Sequence, residues 1–90
     1  MKLCVCCHIK GHVQGVFFRA STREQARALN ITGYAKNLSD GRVEVLAYGE
    51  RDDIENLKDW LKQGPSSARV EELICADKEV VIAATDFLIG

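Results

Sequence analysis

The segment GHVQGVFFR, residues 11–19, decides the beginning of the fold. It separates an apolar run, which is typical of a strand, from a stretch with helical spacing. Glycine adopts backbone angles that are closed to other residues, so the amides around Gly15 can turn inward together as a concave nest. The helix that follows adds free N–H donors, and Arg19 brings a planar cationic fork that matches phosphate oxygens. This combination predicts a binding site for an anion.

The residues on either side of this stretch predict a strand and a helix. Residues 3–13 alternate, which places Leu3, Val5, Cys7 and Ile9 on one face and Cys4, Cys6, His8 and Lys10 on the other. Beyond Arg19, Ser21 and Glu24 have the spacing of a capping box, and a modest apolar stripe follows them. We therefore expect strand 1 over residues 3–13 and helix 1 over residues 21–30.

The remainder of the chain predicts a hairpin, a second helix and two more strands. Residues 33–38 and 42–48 flank the turn pair Asp40-Gly41, which is typical of a hairpin. Asp52 and Glu55 repeat the capping-box spacing, and apolar residues then recur at helical intervals until Gly64-Pro65. Residues 68–75 and 80–89 are strand-like and are separated by a charged turn at residues 77–79.

This order of elements is that of a split β-α-β arrangement. It predicts an α+β fold, a ferredoxin-like sandwich in which two helices cover one face of an antiparallel sheet. The sheet would have four core strands plus a fifth, with strand 1 in a central position. No linker, repeat or shift in composition indicates a second domain, so we expect one domain over residues 1–90.

Composition excludes several classes of protein. The chain of 90 residues is 47% hydrophobic and 28% charged, which is typical of a globular domain. Its net charge of -1, from 12 basic and 13 acidic residues, gives no cationic field for nucleic acid. No apolar run approaches the roughly 20 residues that span a bilayer, and the first ten residues do not resemble a secretory signal. We expect a cytoplasmic protein without a membrane or nucleic-acid partner.

The four cysteines do not have the spacing of a disulfide framework. Cys4, Cys6 and Cys7 crowd strand 1, and Cys75 lies far away. In a reducing cytosol all four are expected as thiols, while one bridge between strand 1 and Cys75 stays open as an alternative. Cys4, Cys6 and His8 share a face, but residues two apart on a strand lie roughly 6 to 7 Å apart, which is awkward for tetrahedral zinc. We interpret the two cysteines as small apolar side chains.

Two segments together resemble the signature sequences of the acylphosphatases. They are IKGHVQGVFFR, residues 9–19, and GYAKNLSDGRV, residues 33–43, followed by Gly49. The glycine pair in the first segment does not have the Walker A spacing. The resemblance implies a five-stranded ferredoxin-like domain that hydrolyses an acyl phosphate to a carboxylate and inorganic phosphate. It also implies that Arg19 binds the phosphoryl group and that Asn37 orients the attacking water, while the phosphoryl group accepts bonds from the backbone amides of Gln14, Gly15, Val16, Phe17 and Phe18.

The chemistry of these residues suggests a reaction without metal or cofactor. Asn37 can orient water but cannot accept its proton as a base. The two segments supply no required Cys or His nucleophile and no carboxylate cluster for magnesium, so we expect direct attack by water in a monomer. Phe17 is bulky beside Arg19 and is expected to narrow access for the acyl group. The chain also lacks the basic and aromatic residues with which relatives commonly end. This difference is expected to affect the stability of the edge strand more than catalysis.

Three alternatives differ in kind from this hypothesis. A related sheet could bind RNA through Cys4, Cys6, His8, Glu44, Leu46 and Tyr48, but that face offers one aromatic side chain and no basic groove. The cysteine run could belong to a metallochaperone of similar fold. The domain could also be an accessory to carbamoyl-phosphate chemistry, which would need further domains.

Overall fold

Among the residues that the structure describes, five strands form one sheet, and two helices pack on one of its faces. The computed structural model describes residues 1–79 and 85–90. The elements are β1 (Lys2–His12), α1 (Phe18–Ala28), β2 (Thr32–Asn37), β3 (Val43–Glu50), α2 (Arg51–Leu61), β4 (Arg69–Lys78) and β5 (Phe87–Ile89). None of the described helices combines the length and apolar character needed to cross a bilayer. The ferredoxin-like α+β fold that the sequence predicts is confirmed.

The strand order is β4-β1-β3-β2-β5, so β1 lies between two partners as expected. β1 is antiparallel to both β3 and β4, and β2 is antiparallel to β3. β5 is parallel to β2, with Gly33 opposite Phe87, so the expectation of a purely antiparallel sheet is wrong. Alternation of apolar residues fixes which side chains face the core, but it carries no information on the direction of an added edge strand.

The predicted faces of β1 are confirmed, and they place the core between the sheet and the helices. Val5, Cys7 and Ile9 are almost fully buried, and the helices contribute buried side chains at Phe18, Ala26, Ile54, Leu57 and Leu61. β2 and β3 present Ala35, Val43, Val45 and Ala47 to the same core. Burial of this apolar surface, at about 25 cal/mol per Å², is the main term that favours the fold.

Both helices begin earlier than the capping boxes predict. α1 starts at Phe18, three residues before Ser21, and its N-cap Phe17 makes no side-chain capping bond. The Ser21–Glu24 capping box is therefore wrong, because burial of Phe18 beside Trp60, with ring centroids 6.0 Å apart, fixes an earlier start. α2 starts at Arg51, which leaves Asp52 inside the first turn, where its charge favours the helix dipole.

The end of the chain departs from the prediction in a second way. Asp77 and Lys78 belong to β4, where they pair with Val5 and Cys4, so the turn expected at these two residues is wrong. Cross-strand pairing overrides their local preference for a turn. Of the strand predicted over residues 80–89, residues 80–84 lie outside the described residues and residues 87–89 form β5.

Polar contacts hold the start of β5 against β2 and α1. The backbone N–H of Gly33 donates to the Asp86 carbonyl oxygen at 3.1 Å. The guanidinium of Arg27 donates to both carboxylate oxygens of Asp86, at 3.0 and 2.9 Å. These bonds hold the pKa of Asp86 below its ordinary value, so the carboxylate stays ionised and keeps its bond to Arg27.

The structure contains a disulfide between Cys7 and Cys75, which lie opposite each other on β1 and β4. The expectation of four thiols is therefore wrong for this pair, and the single bridge left open as an alternative is present. Cys4 and Cys6 are free thiols, nearly buried on the sheet face away from the helices. Sequence spacing could not identify the pair because the β1–β4 register decides it.

We expect Gly33→Ala to destabilise the protein strongly. Gly33 has φ +140°, and a Cβ there would overlap the backbone carbonyl oxygen of Leu46 on β3. Because backbone cannot move aside cheaply, the free energy of unfolding should fall by about 3 kcal/mol or more in urea denaturation. Gly41→Ala is the matched control: φ is +95°, but apart from its chain neighbours no atom of the described residues lies within 4 Å of the added Cβ, and about 1 kcal/mol of strain is expected. Equal losses in the two variants would contradict this steric account.

Candidate active site

The loop between β1 and α1 has the backbone geometry of an anion nest. Gly15 has φ 75°, and Phe17 has φ 60° and ψ 22°, both in the left-handed region. Left-handed residues among right-handed ones turn successive N–H groups toward the same side. No side chain of the described residues caps the start of α1, so the amides of its first turn are available to a ligand.

A cleft of about 260 Å³ lies beside this loop. Its lining includes Gly15, Phe17, Phe18 and Arg19 from the predicted site, together with Val13, Ala20 and Ile89. Gln14 and Val16 belong to the loop but do not line the cleft. Phe17 is 82% exposed at its edge, whereas the Phe18 ring is buried in the core. The structure thus brings four of the predicted residues to one concave surface.

Arg19 is held by the last residues of the chain. It lies in the first turn of α1, is partly buried, and donates from Nη1 to the Gly90 oxygen. The Gly90 N–H in turn donates to the carbonyl oxygen of Ala35 on β2, at 2.8 Å. A guanidinium has five N–H donors in one plane, so this contact leaves others for an anion. β5 and the residue after it therefore position Arg19 against β2.

Asn37 is the last residue of β2 and does not line the cleft. It is exposed and pairs with Val43 across the hairpin. Because strand residues alternate, Asn37 lies on the same sheet face as buried Ala35, which is the face toward the helices. Ala35 also binds Gly90, the residue that holds Arg19. Asn37 is thus two residues beyond the strand position to which Arg19 is linked.

The side chain of Gln14 joins the loop to the β2–β3 hairpin. Its Nε2 donates to the carbonyl oxygens of Leu38 and Arg42, at 2.8 and 2.9 Å. The hairpin closes between the same two residues, where the Leu38 N–H donates to the Arg42 carbonyl oxygen. The sequence predicted a role only for the backbone amide of Gln14. The sequence signal for its side-chain bonds was a long amide side chain flanked by apolar residues in the loop.

Two further contacts fix the surroundings of the cleft. Ser67 Oγ donates to the carbonyl oxygen of Val16 at 2.9 Å, which attaches the loop to the segment after α2. In the hairpin turn, Asp40 accepts bonds from the backbone and guanidinium of Arg42, and these lower the pKa of Asp40. The sequence did not identify Ser67 as part of the site, since a serine in a polar loop has no distinctive pattern.

The residues that line the cleft restrict its chemistry. None of the seven carries a carboxylate, an imidazole or a thiol. Their side chains therefore provide no ligand for a hard cation such as magnesium, which binds oxygen donors. What the cleft provides is backbone N–H groups, one guanidinium and apolar surface, a set suited to an anion with an organic substituent.

These features define a small ferredoxin-like α+β domain with a loop suited to phosphate, and comparison with known proteins identifies its family. The family model for Acylphosphatase matches residues 5–89, so this chain belongs to the acylphosphatase family. It is 56% identical over 69 residues to an acylphosphatase of Halorhodospira halophila, an alignment that covers 77% of this chain and 75% of the relative. Two solved structures extend this similarity.

An acylphosphatase from Coxiella burnetii superposes with a TM-score of 0.92 at 44% identity, over 99% of this chain and 93% of the other. The acylphosphatase from Bacillus subtilis gives a TM-score of 0.93 at 28% identity, over 100% and 99% of the two chains. The protein is therefore a hydrolase that acts on small acyl phosphates and releases a carboxylate and inorganic phosphate.

We expect Gln14→Ala to loosen the hairpin from the loop. It removes two hydrogen bonds to carbonyl oxygens, and each typically contributes about 0.5 to 1.5 kcal/mol to stability. The free energy of unfolding in urea should therefore fall by about 1 to 3 kcal/mol. Gln14→Glu keeps the size but places acceptor oxygens against two acceptors, so it should destabilise at least as much as the alanine variant at neutral pH. Wild-type stability in Gln14→Glu would show that these bonds do not hold the hairpin.

Proposed function

We propose that Arg19 and the backbone amides of Gln14, Gly15, Val16, Phe17 and Phe18 bind the phosphoryl group, and that Asn37 orients the water that attacks it. The observation that carries this proposal is the meeting of a left-handed loop, an uncapped helix start and Arg19 at one cleft. The same loop connects to the hairpin through Gln14, which places the end of β2 nearby. Asn37 is the polar side chain at that strand end.

Acyl phosphate hydrolysis demands little covalent chemistry from the protein. The water oxygen forms a bond to phosphorus while the bond from phosphorus to the acyl oxygen breaks, and its electron pair leaves with the carboxylate. The leaving carboxylate has an ordinary pKa of about 4, so no general acid must protonate it. What remains is to stabilise the equatorial oxygens and to align the nucleophile, which oriented N–H groups and a guanidinium can do.

The proposed role of Asn37 is positional. Its Oδ1 accepts a hydrogen bond from the water, and its Nδ2 can donate to a phosphoryl oxygen. Because an amide does not take up a proton at neutral pH, the water protons pass to the phosphate oxygens and then to bulk solvent. The exposed position of Asn37 is compatible with this route, since solvent reaches the strand end directly.

Phe17 is proposed to contact the acyl group. Its backbone turns an amide toward the anion, and its exposed ring stands at the edge of the cleft, where the organic part of the substrate would emerge. The ring thereby offers apolar surface to an aromatic or aliphatic acyl group and narrows the approach for others. Val13 and Ile89 extend the same surface on the inner side.

The proposal includes a reaction without metal, carried out by one monomeric domain over residues 1–90. The donor set of the cleft supports the first part. We also propose that the protein has no nucleic-acid partner. On the sheet face away from the helices, the carboxylate of Glu44 accepts a bond from Tyr34 and pairs with Lys36, so it neutralises a charge that could bind a nucleic-acid phosphate. A cytoplasmic location also stays a prediction, although the Cys7–Cys75 disulfide is more typical of oxidising compartments.

Substitutions at Arg19 and Asn37 should separate binding from turnover. Arg19→Ala should lower the hydrolysis of benzoyl phosphate on the order of 10³-fold and abolish the rise in melting temperature caused by inorganic phosphate. Asn37→Ala should lower kcat on the order of 10²-fold and keep the phosphate-dependent rise. Arg51→Ala is the control, because it removes an exposed arginine at the start of α2 that does not line the cleft.

Each part of the proposal has its own contradicting result. Normal turnover in Asn37→Ala would remove the assigned water role, and phosphate stabilisation of Arg19→Ala equal to that of the wild type would remove the anion role. The assays are run with a chelator such as EDTA. Activity that disappears on chelation and returns with a metal ion would contradict the metal-free mechanism.

A further inference from the structure

The sheet face opposite the helices carries three metal-ligand side chains in one group. The sulfur of Cys6, a ring nitrogen of His8 and a carboxylate oxygen of Glu44 all lie within 4.8 Å of one another. His8 and Glu44 are directly opposed across the β1–β3 register, and Cys6 lies two residues before His8 on the same face. Three different donor atoms from two strands therefore converge at one point.

We propose that Cys6, His8 and Glu44 form a binding site for one zinc ion, with water as the fourth ligand. Zinc takes sulfur at about 2.3 Å and nitrogen or oxygen at about 2.0 Å, so tetrahedral ligand atoms lie roughly 3.3 to 3.7 Å apart. Closing the group from its present spacing requires shifts of about 1 Å, which side-chain rotation supplies. One thiolate and one carboxylate also balance the charge of the ion.

Glu44 already has the outer contacts that orient a metal ligand. Tyr34 donates its hydroxyl to Oε2 of Glu44 at 2.8 Å, and Nζ of Lys36 lies 3.3 Å from the same oxygen. Oε1 is thereby directed at Nε2 of His8, 2.9 Å away. A zinc ion would replace this hydrogen bond, while the bonds to Oε2 keep the carboxylate in place.

The three side chains of the proposed zinc site are partly shielded from solvent. Cys6 is nearly buried, whereas the side chains of Glu44 and His8 are 17% and 30% exposed. Burial, followed by the nearby charge of Glu44, raises the pKa of Cys6 and keeps it a thiol without metal. Burial alone would raise the pKa of Glu44 as well, but bonds from His8, Tyr34 and Lys36 lower it, so the carboxylate is ionised. Coordination of the ion would displace the thiol proton.

Glu44 resolves the geometric difficulty of a site built from one strand. Cys4, Cys6 and His8 are too far apart along β1 to surround one ion, but Glu44 on β3 approaches both Cys6 and His8. Cys4 is a nearly buried free thiol on the same face and strand, yet it is not in the group. It therefore provides a matched control.

The test is titration of the purified protein with Co²⁺ alone, followed by displacement with Zn²⁺. We expect one equivalent of Co²⁺ to produce the near-ultraviolet band of a thiolate ligand, and one equivalent of Zn²⁺ to remove it. Cys6→Ser should lose the band, and Cys4→Ser should keep it. His8→Gln and Glu44→Gln should each raise the zinc dissociation constant at least about tenfold.

Several results would overturn the site. The first is that the wild-type protein shows no thiolate band at stoichiometric Co²⁺. The second is that the band depends on Cys4 rather than Cys6. The third is that both His8→Gln and Glu44→Gln bind zinc as tightly as the wild type. Circular dichroism establishes that each variant is folded. The His8 and Glu44 variants change partly exposed side chains and keep the test decisive if Cys6→Ser does not fold.

Discussion

Burial of Phe18 is the constraint on which the loop, the helix and the cleft depend. Its ring packs beside Trp60 and against Gly64, where a Cβ would come within 2.7 Å of Phe18 Cε2. With Phe18 fixed, Phe17 takes the left-handed backbone and turns its ring to solvent. Burying a phenylalanine contributes about 1.5 to 3 kcal/mol, enough to offset the roughly 1 to 3 kcal/mol of strain at Phe17. The core thus maintains a loop conformation suited to an anion.

The fold could be predicted from the sequence wherever local pattern and tertiary packing agree. Alternation in β1 gave both of its faces, and the hairpin around Asp40-Gly41 followed from its turn residues. The start of α1 did not follow, because Ser21 and Glu24 have capping-box spacing by coincidence and burial of Phe18 decides the boundary. The parallel direction of β5 and the Cys7–Cys75 bridge depend on how strands distant in sequence pair, which one sequence does not encode locally.

In the candidate site, too, local sequence pattern predicted some features, and contacts between distant residues decided the others. Glycines and an arginine at fixed spacing predicted the loop, and Arg19 does line the cleft with it. The side-chain bonds of Gln14 were not predicted, because they join positions 24 and 28 residues apart. The group of Cys6, His8 and Glu44 was missed for a related reason: its third member comes from β3, so the spacing along β1 alone argued against a metal. Contacts between residues on different strands are not visible in the spacing along one strand.

The two faces of the sheet carry different groups of polar side chains, and our proposal places the acyl phosphate reaction on the helix side. If the loop and Arg19 bind the phosphoryl group as proposed, water attacks phosphorus rather than the acyl carbon. Hydrolysis of benzoyl phosphate in ¹⁸O-labelled water, with mass analysis of both products, tests this directly. Attack at phosphorus places one labelled oxygen in inorganic phosphate and none in benzoate. Label in the benzoate would mean attack at carbon and would contradict the role given to Arg19, Asn37 and the loop.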